Sequence, residues 1–162
     1  MKIGVVSDTH DHIVHIEQIV RKFKDLKIDT LLHSGDYCSP FTIPPFQDFN
    51  LIGVFGNNDG DHYRLIQKFQ EIGGSIHNEF HEMEIDDKKI ALYHGTREPI
   101  KEALIGCGKY DLVITGHTHI QVNEMHGNTL SFNPGPAHGF GKQATVGVYD
   151  TTTAEAEHIE LK

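Results

Sequence analysis

Apolar positions recur along the chain with two different periods, and the changes of period mark out the elements. Lys2–Ser7 is a short apolar run and reads as a buried strand. Ile13, Ile16, Ile19, Val20, Phe23 and Leu26 follow at helical spacing, which predicts an amphipathic helix over His12–Lys27. Thr30–His33 and Leu51–Phe55 read as two more strands, separated by a stretch that Pro40, Pro44 and Pro45 break, with room for a short helix. His62–Ile72 carries Leu65, Ile66, Phe69 and Ile72 on one helical face.

The second half is richer in strand. Phe80–Ile85 and Lys88–Tyr93 flank Asp86-Asp87, and Gln121–His126 and Thr129–Phe132 flank Gly127-Asn128; both read as hairpins. Pro99–Ile105 predicts a helix that stops near Gly106 and Gly108. Leu112–Thr115, Ala144–Tyr149 and Ala156–Leu161 complete the set as strands. A βαβαβα beginning followed by mostly β points to an α/β fold. Two mixed sheets packed face to face with helices on the outer faces, a four-layer α-β-β-α sandwich, would bury both patterns. No linker or repeat divides the chain, so residues 1–162 are expected to form one domain.

Composition narrows the function classes. With 162 residues, 38% of them hydrophobic, the chain can bury a core without staples. No apolar tract is long enough to span a bilayer, and Met1–Asp8 reaches an acid at once without a signal-peptide core, so the expected location is the cytoplasm. Two cysteines, Cys38 and Cys107, suggest reduced thiols rather than a disulfide framework. A formal charge of −9 argues against an extended nucleic-acid footprint. It does not exclude a phosphate substrate, because bound cations reverse a local field. The 13 histidines and 16 glycines supply metal ligands and tight turns.

The chemistry gathers at the ends of strands. The first ends in Ser7-Asp8-Thr9-His10, the second in Gly35-Asp36, the third in Gly56-Asn57-Asn58-Asp59, the Lys88–Tyr93 strand in His94-Gly95 and the Leu112–Thr115 strand in Gly116-His117-Thr118-His119. Ligands of such sheets sit outside the carboxyl ends of strands. Singly, each motif has a plain structural explanation: Gly-Asp marks turns, Asp-x-His accompanies helix caps, and a histidine can be a hydrogen-bonded interior residue. Seven donors placed directly after five apolar strands are not explained that way.

This ordered set of five blocks, running from Met1 to about Asn133-Pro134-Gly135, resembles the calcineurin-like metallophosphoesterase family, and within it the small single-domain phosphodiesterases of bacteria and archaea. The resemblance implies two metal sites, one held by Asp8, His10, Asp36 and His119, the other by Asp36, Asn57, His94 and His117, with Asp36 shared. A carboxylate can bridge two cations about 3.5–4 Å apart. Imidazole and oxygen donors without thiolate suit two divalent transition-metal ions, Mn, Ni, Fe, Co or Zn. With both cations and a bridging hydroxide the cluster carries about +1 and attracts a phosphoryl anion. The implied reaction is phosphodiester hydrolysis by that hydroxide, with Asn57 steadying developing charge.

Many members of the family carry histidine directly after the asparagine of the third block, where it protonates the leaving oxygen. Asn58 stands there, and an amide supplies no proton near pH 7. Diesters and good leaving groups are therefore expected over unactivated monoesters. Asp59, water or a nearby histidine are the candidates to stand in. His138, after Asn133-Pro134-Gly135, reads as a surface histidine, with a substrate contact or substitute acid as alternatives. His12, His33 and His62 adjoin motifs as possible partners of the ligands. Tyr37 and Phe41 read as pocket wall or core, and Ser34 as structural. The expected partner is a small phosphoester, with no membrane, and with a homo-oligomer left open. The rival is a non-catalytic protein-interaction scaffold of the same fold, as in a retromer subunit; filled ligand positions favour catalysis.

Overall fold

The computed structural model describes residues 1–162. In chain order the strands and helices are β1 (Lys2–Val6), α1 (Ile13–Asp25), β2 (Thr30–His33), β3 (Asn50–Val54), α2 (His62–Glu71), β4 (Ser75–His77), β5 (Phe80–Ile85) and β6 (Lys88–Tyr93). There follow α3 (Glu98–Gly106), β7 (Leu112–Ile114), β8 (Val122–His126), β9 (Thr129–Asn133), β10 (Thr145–Asp150) and β11 (Glu155–Glu160). One sheet has the order β11-β10-β1-β2-β3-β4 and the other β5-β6-β7-β9-β8. Both are mixed: β1 to β4 run parallel while β10 is antiparallel to β1, and β6, β7 and β9 run parallel between antiparallel β5 and β8.

The four-layer sandwich expected from the sequence is what the chain forms. Between the sheets lies a cluster that includes Ile3, Val5, Leu32, Val54, Leu92 and Ile114. Outside the six-stranded sheet a second cluster joins Val6, Leu31 and Leu51 to Ile16, Ile19 and Phe23 of α1 and to Leu65 and Phe69 of α2. Alternate residues of β1 thus enter different cores, which is why its sequence reads as an unbroken apolar run. Gly4 is required there, because a Cβ would meet Phe23 and Leu31. Outside the five-stranded sheet the cover is thinner: Ala91, Tyr110 and Val113 pack with Leu104 and Ile105 of α3.

The departures from expectation are local. The proline segment forms two single-turn 3-10 helices, Pro40–Thr42 and Pro44–Phe46, rather than one short helix. The helix expected over His12–Lys27 begins at Ile13, with His12 as N-cap accepting a hydrogen bond from the His15 amide. Strand β4 is an edge strand of three residues that the pattern did not predict.

Candidate metal centre

Five strand ends open on one cleft between the sheets. Hydrogen bonds across the seam fix their register: the His94 ring Nδ1 donates to the Ser34 carbonyl at 2.7 Å, and the His117 amide donates to Asp8 Oδ2 at 3.2 Å. Close approach here depends on glycine. A Cβ on Gly56 would collide with the Asp36 carboxylate, and one on Gly116 with Ser7 Oγ and Asp8 Oδ2. The backbone is strained at the same place. Asp8, His10, Asp36, His117 and His119 have φ of 54°, 40°, 61°, 65° and 55°. Left-handed conformations are uncommon for residues with a Cβ and gather at functional sites.

Asp36 lies at the centre, its carboxylate almost wholly buried. Its Oδ2 is 3.3 Å from His10 Nε2 on one side and 3.4 Å from His94 Nε2 on the other. Asn58 orients this carboxylate, donating from its amide N–H to Oδ1 at 2.8 Å and from its side chain to Oδ2 at 2.7 Å. Asn57 Oδ1 is 3.0 Å from His94 Nε2. On the first side, Asp8 Oδ1 lies 3.7 Å from His10 Nε2 and 3.2 Å from His119 Nε2. The His117 ring stands 5.2 Å, centroid to centroid, from that of His94. The cleft therefore brings all seven predicted ligand residues together.

The donor set fits cations. His94 gives its Nδ1 proton to a carbonyl, so the neutral ring turns a lone pair toward Asn57 Oδ1 and Asp36 Oδ2. Three acceptors facing one another need a positive centre between them. His10 Nε2 is buried without a hydrogen-bond partner, and one ligand atom each from Asp8, His10 and Asp36 lie within 4.8 Å of one another. The ionisation of the groups agrees. Burial favours a neutral Asp8, but the His10 and His119 imidazoles beside it outweigh that and hold the carboxyl well below the usual range. Asp36 follows the same pattern, with burial opposed and overcome by His10 and His94. The Asp36 and Asp8 carboxylates beside it push His10 up to about 9. Burial opposes charge on His94, yet Asp36 raises its pKa. Positive charge is thus favoured between the two carboxylates. Burial and the carboxylates of Asp11 and Asp59 push the nearby Cys38 thiol up to about 12.

Asp59 faces away from this chemistry. Its carboxylate accepts the amide N–H groups of Asp36 at 2.9 Å, Gly56 at 2.7 Å and Cys38 at 2.8 Å, and it is 4% exposed. His33 is also buried and ties the first two strand ends together, meeting Thr9 Oγ1 through Nε2 and accepting the Gly35 amide at Nδ1. Ser34 acts through its carbonyl on His94, Tyr37 is core, and Phe41 is exposed.

His138 corrects the expectation of a surface residue. It is 4% exposed, because Ala137 and His138 donate their amides to the carbonyls of Ser7 and Asp8 and draw the loop after β9 against β1. The Phe140 amide donates to His138 Nδ1 at 2.8 Å, leaving Nε2–H for His119 Nδ1 at 3.3 Å. His10, His119 and His138 form a three-imidazole cluster. Burial and the neighbouring His10 and His119 lower the His138 pKa to about 4, so the ring is neutral. Cys38, with Sγ 3.5 Å from His10 Nδ1, is a contact that sequence spacing did not indicate.

Comparison with known proteins identifies the family. The family model described as calcineurin-like phosphoesterase superfamily domain matches residues 1–154. A phosphodiesterase of Methanocaldococcus jannaschii is 39% identical over the full length of both chains. A solved structure of an archaeal phosphodiesterase, also 39% identical, superposes with a TM-score of 0.94 over 99% of this chain and 100% of that one. The phosphoesterase Yfce of E. coli shares the fold at 21% identity, with a TM-score of 0.71 over 93% of this chain and 89% of its own. The chain belongs to the calcineurin-like phosphoesterase superfamily.

Proposed function

Within that superfamily, we propose that this chain is a phosphodiesterase that holds two divalent cations, one by Asp8, His10, Asp36 and His119 and the other by Asp36, Asn57, His94 and His117. The observation that carries the reading is Asp36 Oδ2 midway between His10 and His94, at 3.3 and 3.4 Å. An oxygen so placed serves two sites at once. Nitrogen and oxygen donors without thiolate favour Mn, Ni, Fe, Co or Zn. When bound, the cations would supply Lewis-acid charge and acidify a water held between them.

The chain's own residues set up the rest. Asn58 fixes the shared carboxylate, and Asp59 braces the Gly56–Asp59 turn from behind with three backbone hydrogen bonds. Asn57 is exposed and turns its Oδ1 to His94, so its amide N–H₂ is free to donate to a phosphoryl oxygen. Neither Asn58 nor Asp59 presents a proton to a leaving group. Diesters with good leaving groups are the substrates this geometry serves best. The chain is acidic overall, and no helix is long and apolar enough to cross a membrane, which suits a small phosphoester rather than a polymer.

The test is to strip the protein with chelator, restore Mn, Ni, Fe, Co, Zn or Mg singly, and follow nitrophenol release from bis-p-nitrophenyl phosphate. Turnover that requires a transition metal and vanishes in Asp36→Asn is expected. Two ions bound per chain with no turnover would overturn the reading.

A further inference from the structure

The loop that carries Asn57 is closed at its base by an aromatic stack. The Phe55 and His62 rings lie 3.9 Å apart at 18°. Phe55 is buried, so His62 forms the outer layer. Beside it the turn between β4 and β5 brings up Asn78, Glu79 and Phe80, and these five residues line a shallow cavity of about 550 Å³. Phe80 is 38% exposed, an apolar ring offered to solvent. The backbone ties the cavity to two segments of the metal centre. The Phe55 amide donates to the Asn78 carbonyl at 3.1 Å, and the amide of His94 donates to the Glu79 carbonyl at 3.4 Å. The cavity is thus joined through the backbone to the segments that carry Asn57 and His94.

The lining has a definite chemistry. Two aromatic faces, His62 and Phe80, suit a flat ring. An amide and a carboxylate at the rim suit a ring whose edge carries both acceptors and amino donors. A carboxylate beside a phosphate site repels a second anion, but it accepts hydrogen bonds from an exocyclic amino group. The volume falls within the roughly 300–1,000 Å³ of small-molecule sites. We infer that this cavity is a nucleobase subsite, selecting nucleotide diesters whose base bears an exocyclic amino group. The inference rests on the phosphodiesterase reading only for anchoring the phosphoryl group beside it.

Adenosine 5′-monophosphate and ribose 5-phosphate carry the same phosphate and sugar with and without such a base. Their affinities for the metal-loaded protein, measured by calorimetry, isolate the base. A stacked base is worth about tenfold or more in affinity. At least a tenfold preference for the adenylate is expected, falling toward onefold in Phe80→Ala and in Glu79→Ala. Both variants should keep wild-type affinity for ribose 5-phosphate, which offers no aromatic ring to the cavity. Equal affinities in the wild type would overturn the subsite, as would phenyl phosphate binding as tightly as the adenylate. Absence of turnover with intact adenylate preference would instead overturn the phosphodiesterase reading and leave the subsite standing.

Discussion

The six-stranded sheet is backed by α1 and α2 over a cluster of 19 buried residues, whereas behind the five-stranded sheet three buried residues meet a helix with no buried residue of its own. The thick side supplies the proposed oxygen ligands and His10; the thin side supplies His94, His117 and His119. The two contributions meet with comparable closeness. The thin side gains its precision at the cleft itself, where His94 and His117 are tied by hydrogen bonds to Ser34 and Asp8 of the thick side. Placement of a ligand here depends less on the depth of core beneath it than on bonds to the opposing sheet.

Substitutions can break or sharpen this contrast. The largest effect is expected from Asp36→Asn, at the carboxylate proposed to serve both metal sites: turnover should fall to background and calorimetry should show the binding of both cations weakened. Phe23→Ala, on the thick side, removes a fully buried ring and should cost about 3–5 kcal/mol in urea unfolding. Gly116→Ala pushes a methyl at Ser7 and Asp8 across the seam, and overpacking of this kind costs about 1–3 kcal/mol. It should also weaken one cation more than the other, which equal loss at both would contradict. Ile105→Ala, on the thin side, removes a half-buried side chain and should cost about 1 kcal/mol or less. A cost near that of Phe23→Ala would show that the thin face is not a separate, weaker layer.

A pH experiment addresses the thick side alone. Burial lowers the pKa of His33 from 6.5 to about 3. The unfolded chain therefore binds a proton that the folded chain refuses between those values. Stability contributed by neutral His33 is present above pH 6.5 and is lost as pH falls toward 3. His33→Gln should flatten that part of the profile of unfolding free energy against pH.

Much of the architecture could be read from the sequence because each buried strand is an apolar run and each outer helix keeps a 3.6-residue stripe. Strand β4 escaped because Ser75-Ile76-His77 is short, lies at an edge and follows two glycines, so no period develops. The convergence of the seven proposed ligand residues was legible because they directly follow strands whose ends the fold must gather. His138 was not, since its burial comes from the pairing of residues 137 and 138 with the carbonyls of Ser7 and Asp8, a contact between parts of the chain 130 residues apart. The part played by Asp59 was equally hidden: an acid near a metal motif reads as chemistry until its three backbone hydrogen bonds are seen.

The left-handed backbone at Asp8, His10, Asp36, His117 and His119 also bears on how such a gene can drift. Asparagine, aspartate, histidine and glycine tolerate this conformation best, and β-branched residues hardly at all. Exchange of either aspartate for glutamate keeps the charge but lengthens the arm and leaves the favoured group of side chains. Asparagine keeps the backbone and discards the charge. A descendant losing catalysis would therefore pass first through asparagine or glycine at these places, with its fold intact, and the cleft would persist as a shape after its chemistry had gone.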